Sequence, residues 1–278
     1  MPTSLPATFS LIAVGAWGAS DFLGGLGAKR VNAFLFTSIV NLSGMLIAGS
    51  VAFASGLPFP QGKGLSWALA AGAVGGAALA LFYRSLASGN MGLVAPVAAV
   101  LGAGIPTLVT AVFEGFPGWR RALGFVVAVV GVWLISRTEN SDGHPRGIGL
   151  AVLAGCGFAG FYLCVHQAGN AAALWIAVCS RLASLVVTLA FVAAGRHFQT
   201  VPRSIAGIAI IAGILDTCGS ATFVRAAQVG RLDSAVVLSS LYPAVTVLLA
   251  RIFLHEHFSR TRTLGMLAAL ASVPMIAG

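Results

Sequence analysis

The sequence predicts an all-α polytopic membrane protein with ten transmembrane helices arranged as two inverted five-helix repeats. Hydrophobic residues make up 58% of the 278-residue chain and charged residues only 8%, whereas a soluble domain carries about 25% charged residues. Ten apolar runs come close to the length of about 20 residues that crosses a bilayer. The second half of the chain also resembles the first, and an odd number of crossings in each half would give the halves opposite orientations.

The ten apolar runs define the predicted helices in order along the chain. They cover about residues 8–28, 33–55, 64–87, 91–113, 119–137, 147–169, 171–194, 204–228, 233–254 and 261–278. The longest polar segment, RTENSDGHPR, separates the fifth run from the sixth and is rich in turn-forming residues. We therefore expect an N-terminal five-helix repeat over residues 1–137, a linker over 138–146 and a C-terminal five-helix repeat over 147–278.

The repeat is recognised by residues of the same type at one constant offset. The matched pairs are Arg84 with Arg225, Gly89 with Gly230, and Gly124 with Gly265. The first parts of the two halves correspond more weakly, as in GAWGASDF at 15–22 and AGCGFAGF at 154–161. Two such halves with opposite orientations are the design of alternating-access carriers.

Charge and motif content exclude several classes of function. The formal net charge is +9, but the basic residues lie singly between apolar runs and form no stripe that would bind nucleic acid. The four cysteines lie in apolar runs without CxxC spacing, and HEH at 255–257 lacks the spacing of a zinc helix. No nucleophile elbow or ATP-binding motif occurs. We expect no nucleic-acid partner, cofactor or metal, and no enzyme.

Three ionisable residues are expected at membrane depth in the predicted spans: Asp21, Arg181 and Asp216. A charge at membrane depth costs about 2.5–3.5 kcal/mol on insertion scales, so such residues usually face a cavity or a partner. In one interpretation Arg181 binds an anionic substrate group, and Asp21 or Asp216 carries a coupling proton. In the other, Arg181 and Asp216 form a structural ion pair near the middle of the membrane.

Prolines in corresponding spans of the two halves indicate hinges. Pro96 and Pro106 lie in the fourth run, and Pro243 lies in the ninth. An interior proline removes a helix hydrogen bond, and the freed backbone is tolerated where protein or a wet cavity satisfies it. We expect a helix break or hinge at these prolines. We also expect Ser239, Ser240 and Tyr242, next to Pro243, to line a cavity, although a simple kink is the alternative.

Aromatic and amide residues in the spans complete the candidate cavity: Trp17, Asn41, Tyr83 and Tyr162. Sites for organic solutes combine apolar walls with a few oriented polar groups. Tyrosines near the ends of spans can instead anchor the protein at the membrane interface, which is the alternative for Tyr83.

The order of segments in each half resembles the EamA family of the drug/metabolite transporter superfamily. YRSLASGNMGLVAP at 83–96 and FVRAAQVGRLDSAVV at 223–237 each lead into a proline-containing span. FEGFPGWRRALG at 113–124 and LHEHFSRTRTLG at 254–265 then follow. The likeness covers essentially the whole chain and is strongest in the second part of each repeat.

The resemblance implies an alternating-access permease, usually an exporter of small organic metabolites, amino acids or toxic compounds. It implies cytoplasmic termini, whereas the distribution of basic residues over the predicted loops favours termini outside. Small four-span relatives use a membrane-buried Glu in their first span for proton coupling, and Asp21 is the nearest chemical substitute here. We expect a small-molecule substrate, a lipid bilayer around the protein, and a monomer or homodimer in a prokaryotic inner membrane.

Three other functions remain open from the sequence. A lipid-linked carrier or flippase would use basic residues at headgroup depth, such as Arg84 and Arg225. An intramembrane enzyme for lipids would need clustered catalytic carboxylates or histidines at one depth. A signalling or assembly subunit would transport nothing.

Overall fold

The computed structural model is built from helices, and no strand occurs among the residues that it describes. Those residues are 4–88, 91–113, 115–116, 118–136, 147–254 and 260–277. The helices are α1 (Ser4–Ala28), α2 (Ala33–Ala54), α3 (Gly62–Ala87), α4 (Met91–Phe113), α5 (Trp119–Ser136), α6 (Ile148–Gln167), α7 (Ala173–Ala194), α8 (Arg203–Val229), α9 (Leu232–Ser239), α10 (Tyr242–Leu254) and α11 (Arg260–Ala277). The predicted linker over 138–146 lies outside the described residues, and so does the HEH segment at 255–257.

Seven stretches in the described part of the chain are long and apolar enough to cross a membrane. Six are single helices (α1, α2, α3, α6, α7 and α8), and the seventh is Leu232–Leu254, which joins α9 to α10. Large apolar side chains on the outer surface are exposed, including Phe53 at 82% and Phe113 at 83%. Lipid is the solvent that accepts such a surface, so the prediction of an all-α polytopic membrane protein is confirmed.

Local sequence explains where two of the helices begin. Asn32 caps α2, because its side-chain Oδ1 accepts hydrogen bonds from the backbone N–H of Phe34 at 2.9 Å and of Leu35 at 3.4 Å. These bonds satisfy donors that the first turn of a helix leaves free. Gly147 precedes α6 with φ +96°, a left-handed conformation that glycine adopts without strain.

The first five helices pack mainly against the later ones. α1 lies along α8, α3 along α6 and α7, and α2 along α7 and α8. α4 packs against α6, α1 also packs against α9 and α10, and α5 lies along α11. The core of the molecule is therefore formed between the two halves of the chain.

Glycines set the closest helix contacts. A Cβ added to Gly72 of α3 would meet the backbone of Ser180 in α7, and one added to Gly213 of α8 would meet the backbone of Val40 in α2. Small residues at helix interfaces let backbones approach in this way inside a membrane. These two contacts hold α7 against α3 and α2 against α8.

The predicted helix break is present near Pro243 and absent from α4. Between α9 and α10 the chain makes a tight turn, in which the backbone N–H of Leu241 donates to the carbonyl of Leu238 at 3.2 Å. α4 instead continues as one helix through Pro96 and Pro106. A proline removes only one hydrogen bond of a helix and bends it more often than it ends it, so proline content alone did not predict the difference.

Candidate functional site

A cavity lies between the two halves, and residues from six helices line it. We call it the central cavity. Its lining residues are Trp17, Asp21, Gly75, Leu79, Phe158, Phe161, Tyr162, Ser180, Arg181, Ser184, Asp216, Ser220 and Tyr242. They belong to α1, α3, α6, α7, α8 and α10. The volume of the central cavity is about 50 Å³, which is room for only a few waters.

Arg181 and Asp216 form an ion pair in the wall of the central cavity. Arg181 Nη1 lies 2.5 Å from Asp216 Oδ2, and both side chains are 7% exposed. Nη1 also donates to Asn41 Oδ1 at 3.3 Å, and Nη2 donates to the Ser220 hydroxyl and to the Asp216 carbonyl. Both terminal nitrogens of the guanidinium are therefore engaged within the protein. Of the two sequence interpretations of Arg181, the ion pair is the one present.

Asp21 has a different environment from Asp216. It is 5% exposed and lines the central cavity, yet in the described part of the chain its carboxylate has neither a hydrogen bond nor an ion pair. Asp216 lines the same cavity, and among the described lining residues no positive charge occurs other than that of Arg181, which is paired with Asp216. A carboxylate in this position is costly inside a membrane unless a proton or a bound cation compensates it.

Aromatic rings form the wall beside Asp21. The Trp17 ring lies 6.1 Å from the ring of Tyr162 and 5.5 Å from Phe223, and it meets Tyr242 edge-on at 6.4 Å. The Trp17 indole Nε1 donates to the carbonyl of Asp216 at 3.2 Å. This bond fixes the orientation of the indole and links α1 to α8 next to the ion pair.

Six of the ten predicted cavity residues line the central cavity: Trp17, Asp21, Tyr162, Arg181, Asp216 and Tyr242. Asn41 lies behind the lining as an acceptor for Arg181. Tyr83 is fully buried, with its hydroxyl 3.2 Å from Ser20 Oγ, so it is not an interfacial anchor.

Ser239 and Ser240 are buried outside the lining. In the turn after α9 the Ser240 hydroxyl donates to the carbonyl of Val237 at 2.7 Å. Tyr242, the first residue of α10, is the one that the turn brings to the wall.

Seven lining residues were missed by the sequence reasoning: Gly75, Leu79, Phe158, Phe161, Ser180, Ser184 and Ser220. Helical spacing would have found some of the polar ones. Ser220 follows Asp216 by four residues, and Ser184 follows Arg181 by three, so each pair shares a helix face. The apolar members carry no such signal, because leucine and phenylalanine are equally common on lipid-facing surfaces.

No group of three or more His, Cys, Asp or Glu side chains that could hold a metal ion occurs in the described part of the chain. The polar groups of the central cavity are instead two carboxylates, one guanidinium, three serines and two tyrosines. Such a set can bind and orient a polar solute between aromatic walls.

Comparison with known proteins gives one family match and a likeness in fold. A crystal structure described only as that of a protein matches with a TM-score of 0.77 over 98% of this chain and 96% of that chain, at 14% identity. This likeness shows a shared fold and nothing about activity. Among curated proteins none matches. Residues 145–278 match the EamA-like transporter family, which confirms the resemblance. The chain is thus an integral membrane protein whose C-terminal half, residues 145–278, matches the EamA-like transporter family.

Proposed function

We propose that this protein is a secondary transporter, and specifically an exporter, of small organic metabolites, amino acids or drug-like compounds, which works by alternating access. The observation that carries the proposal is the central cavity. It combines an unpaired carboxylate, an ion pair and aromatic walls, and helices of both halves contribute to it. Polar groups at membrane depth mark substrate pathways in membrane proteins.

The packing between the halves supports two inverted five-helix repeats. If α1 to α5 correspond to α6, α7, α8, the α9–α10 pair and α11, the main contacts between the halves have counterparts. α1 packs on α8 as α6 packs on α3, and α2 packs on α8 as α7 packs on α3. The two halves are then related by a two-fold axis. Because five is odd, that axis lies in the membrane plane. The ten crossings are the seven span-length stretches plus α4, α5 and α11.

The size of the central cavity supports a cycle that includes helix movement. Room for a few waters is too small for a metabolite, so helices must separate to admit one. The turn between α9 and α10 supplies a hinge beside Tyr242. The glycine contacts of α3 and α8 supply smooth surfaces on which helices can tilt.

We further propose that Asp21 is the coupling carboxylate if export is driven by protons. It faces the cavity without a protein partner, whereas Asp216 is held by Arg181. Asp21→Asn should then abolish transport driven by a pH gradient while leaving exchange at equal pH measurable. Unchanged pH-driven transport in this variant would remove the coupling role.

The central test is counterflow in liposomes with the purified protein. A thermal-shift screen against amino acids, nucleosides, sugars and cationic drugs selects the substrate. Trp17→Phe removes the indole N–H that bonds to Asp216 and should lower the counterflow rate by about fivefold, the worth of about one hydrogen bond. Trp67→Phe is the matched control, because Trp67 is 39% exposed on the outer face of α3.

Either of two results would contradict the proposal. Equal rates for Trp17→Phe and Trp67→Phe would show that the central cavity is not the transport site. Absence of counterflow for every compound in the screen would favour a non-transporting subunit.

We place the protein in a prokaryotic inner membrane as a monomer or homodimer, with repeats over residues 1–137 and 147–278 joined by the linker 138–146. Labelling a cysteine introduced at position 142 from either side would fix its orientation.

A further inference from the structure

The charges that line the central cavity do not cancel. The lining residues that the structure describes include two carboxylates and one guanidinium, which belong to Asp21, Asp216 and Arg181. Arg181 and Asp216 neutralise each other at 2.5 Å. One negative charge therefore remains on Asp21 whenever both carboxylates are ionised. A substrate that neutralises this charge has to supply one positive charge.

The polar contacts of Arg181 argue against an anionic or zwitterionic substrate. Its terminal nitrogens are taken by Asp216, Asn41 and Ser220. Its remaining donor, Nε, is buried and makes no hydrogen bond with the residues that the structure describes. A substrate carboxylate would have to displace Asp216 from Arg181, and it would meet the repulsion of two carboxylates. An anion would therefore have to compete with Asp216 for Arg181 and would be repelled by Asp21, whereas a cation has Asp21 as a countercharge.

The walls next to Asp21 are suited to a cation. Trp17 precedes Asp21 by four residues, so both side chains lie on one face of α1. Tyr162 and Tyr242 also line the cavity, and both rings lie within 6.4 Å of the Trp17 ring. Aromatic faces attract ammonium groups, and several faces together with a carboxylate form a site for them. The Tyr242 hydroxyl, which is buried with no hydrogen bond in the described part of the chain, is available to a polar group of the same molecule.

We propose that Asp21, Trp17, Tyr162 and Tyr242 form a subsite for the ammonium group of a monovalent organic cation. The proposal rests on the function proposed above and names the chemical class of its substrate. Asp21 supplies the countercharge, and the aromatic rings replace the water shell of the cation. The ion pair of Arg181 and Asp216 stays intact as part of the wall.

The test compares cations with neutral molecules of the same shape. Binding of choline and of 3,3-dimethylbutan-1-ol, in which carbon replaces the charged nitrogen, is measured by isothermal titration calorimetry on the purified protein in lipid nanodiscs. Phenyltrimethylammonium and tert-butylbenzene form a second pair. We expect at least one cation to bind at least about tenfold more tightly than its neutral partner. Glycine betaine, which adds a carboxylate to the same ammonium group, should bind more weakly than choline.

Two variants separate the charge of Asp21 from its role in folding. Asp21→Asn should remove most of the preference for the cation, and Asp21→Glu should retain it. The unfolding temperatures of both variants are compared with that of the wild-type protein, which separates a loss of binding from a loss of folding. Trp17→Leu removes one ring of the aromatic wall and so tests the contribution of that wall to cation binding.

The inference is overturned if neither cation binds, if the neutral molecules bind as tightly, or if Asp21→Asn leaves cation affinity unchanged. These failures differ from failure of the proposed function. A protein that exchanges a neutral or anionic compound in liposomes, but shows no preference for cations, remains a transporter with a different substrate class. A protein that exchanges nothing fails as a transporter.

Discussion

The helix pairs α2–α3 and α7–α8 make the same kind of backbone contact between the halves but present different side chains to the central cavity. Gly72 of α3 meets the backbone of α7, and Gly213 of α8 meets the backbone of α2. These two glycines are separated by the same offset as Arg84 and Arg225. Backbone contacts between the halves are thus made in the same way from both sides of the molecule.

The side chains that the two pairs present to the central cavity are not the same. At the offset that relates Gly72 to Gly213, Gly75 corresponds to Asp216 and Leu79 corresponds to Ser220, and all four residues line the cavity. The α8 positions are polar and the α3 positions are not. A buried carboxylate needs a partner, so Asp216 is accompanied by Arg181 on the neighbouring helix. The glycine contacts between the helices and the polar side chains that line the central cavity can therefore vary independently of each other.

The largest expected effect comes from breaking the ion pair on the α8 side. Asp216→Ala leaves Arg181 buried without its countercharge, and removing one partner of a buried pair costs about 3–5 kcal/mol. We expect a large drop in the unfolding temperature of the purified protein in detergent, measured by intrinsic fluorescence.

The double variant Arg181→Met with Asp216→Ala is the control for this effect. It removes both charges and should be more stable than Asp216→Ala alone, because no charge stays buried and unpaired. A double variant as unstable as the sum of the two single variants would mean that the pair does not act as a unit.

An intermediate effect is expected from the shared glycine contacts. Gly72→Ala and Gly213→Ala each place a methyl group against the backbone of a neighbouring helix, which must move. Overpacking of this kind costs about 1–3 kcal/mol. If the framework is the same on both sides, the two substitutions should lower the unfolding temperature by similar amounts.

Gly207→Ala on α8 is the matched control for the glycine substitutions. Its added Cβ would meet no atom within 4 Å, and alanine favours a helix over glycine by about 1 kcal/mol. We expect no loss of stability. A much smaller effect at Gly213 than at Gly72 would show that the two contacts are not equivalent.

The smallest effect is expected at Asn41, which lies behind the ion pair on the α2 side. Asn41→Leu removes an acceptor 3.3 Å from Arg181 Nη1 but leaves Asp216 in place. The loss should be about 1 kcal/mol in the free energy of unfolding. Thr222→Ala, which affects only hydrogen bonds within α8 at a half-buried position, should have a much smaller effect. A loss at Asn41 as large as that at Asp216 would mean that Asn41 is essential to the pair.

The sequence was sufficient to predict where the helices lie, because each is part of a long apolar run bounded by polar or turn-forming residues. Predicted and observed ends agree within a few residues, as for α2 (33–55 against Ala33–Ala54) and α8 (204–228 against Arg203–Val229). A helix break or hinge was predicted at Pro243 and in α4, and the chain breaks between α9 and α10 whereas α4 continues as one helix. Whether a proline ends a helix depends on the packing around it, which a single sequence does not contain.

The candidate site was predicted in part, for a physical reason. Ionisable and aromatic residues stand out in an apolar helix, so Trp17, Asp21, Arg181 and Asp216 could be singled out. The pairing of Arg181 with Asp216 rather than with Asp21 depends on how α7 and α8 are rotated. Helix rotation is set by contacts such as that of Gly72 with Ser180, and those contacts appear only once the helices are assembled.

The position of Trp17 gives the molecule a built-in optical probe. Its indole touches rings on α6, α8 and α10 and donates a hydrogen bond to α8. Any rearrangement that moves one of these helices relative to α1 changes the polarity and quenching around this chromophore. With the other tryptophans replaced by phenylalanine, its emission spectrum would follow the opening and closing of the transporter in real time and without an attached dye.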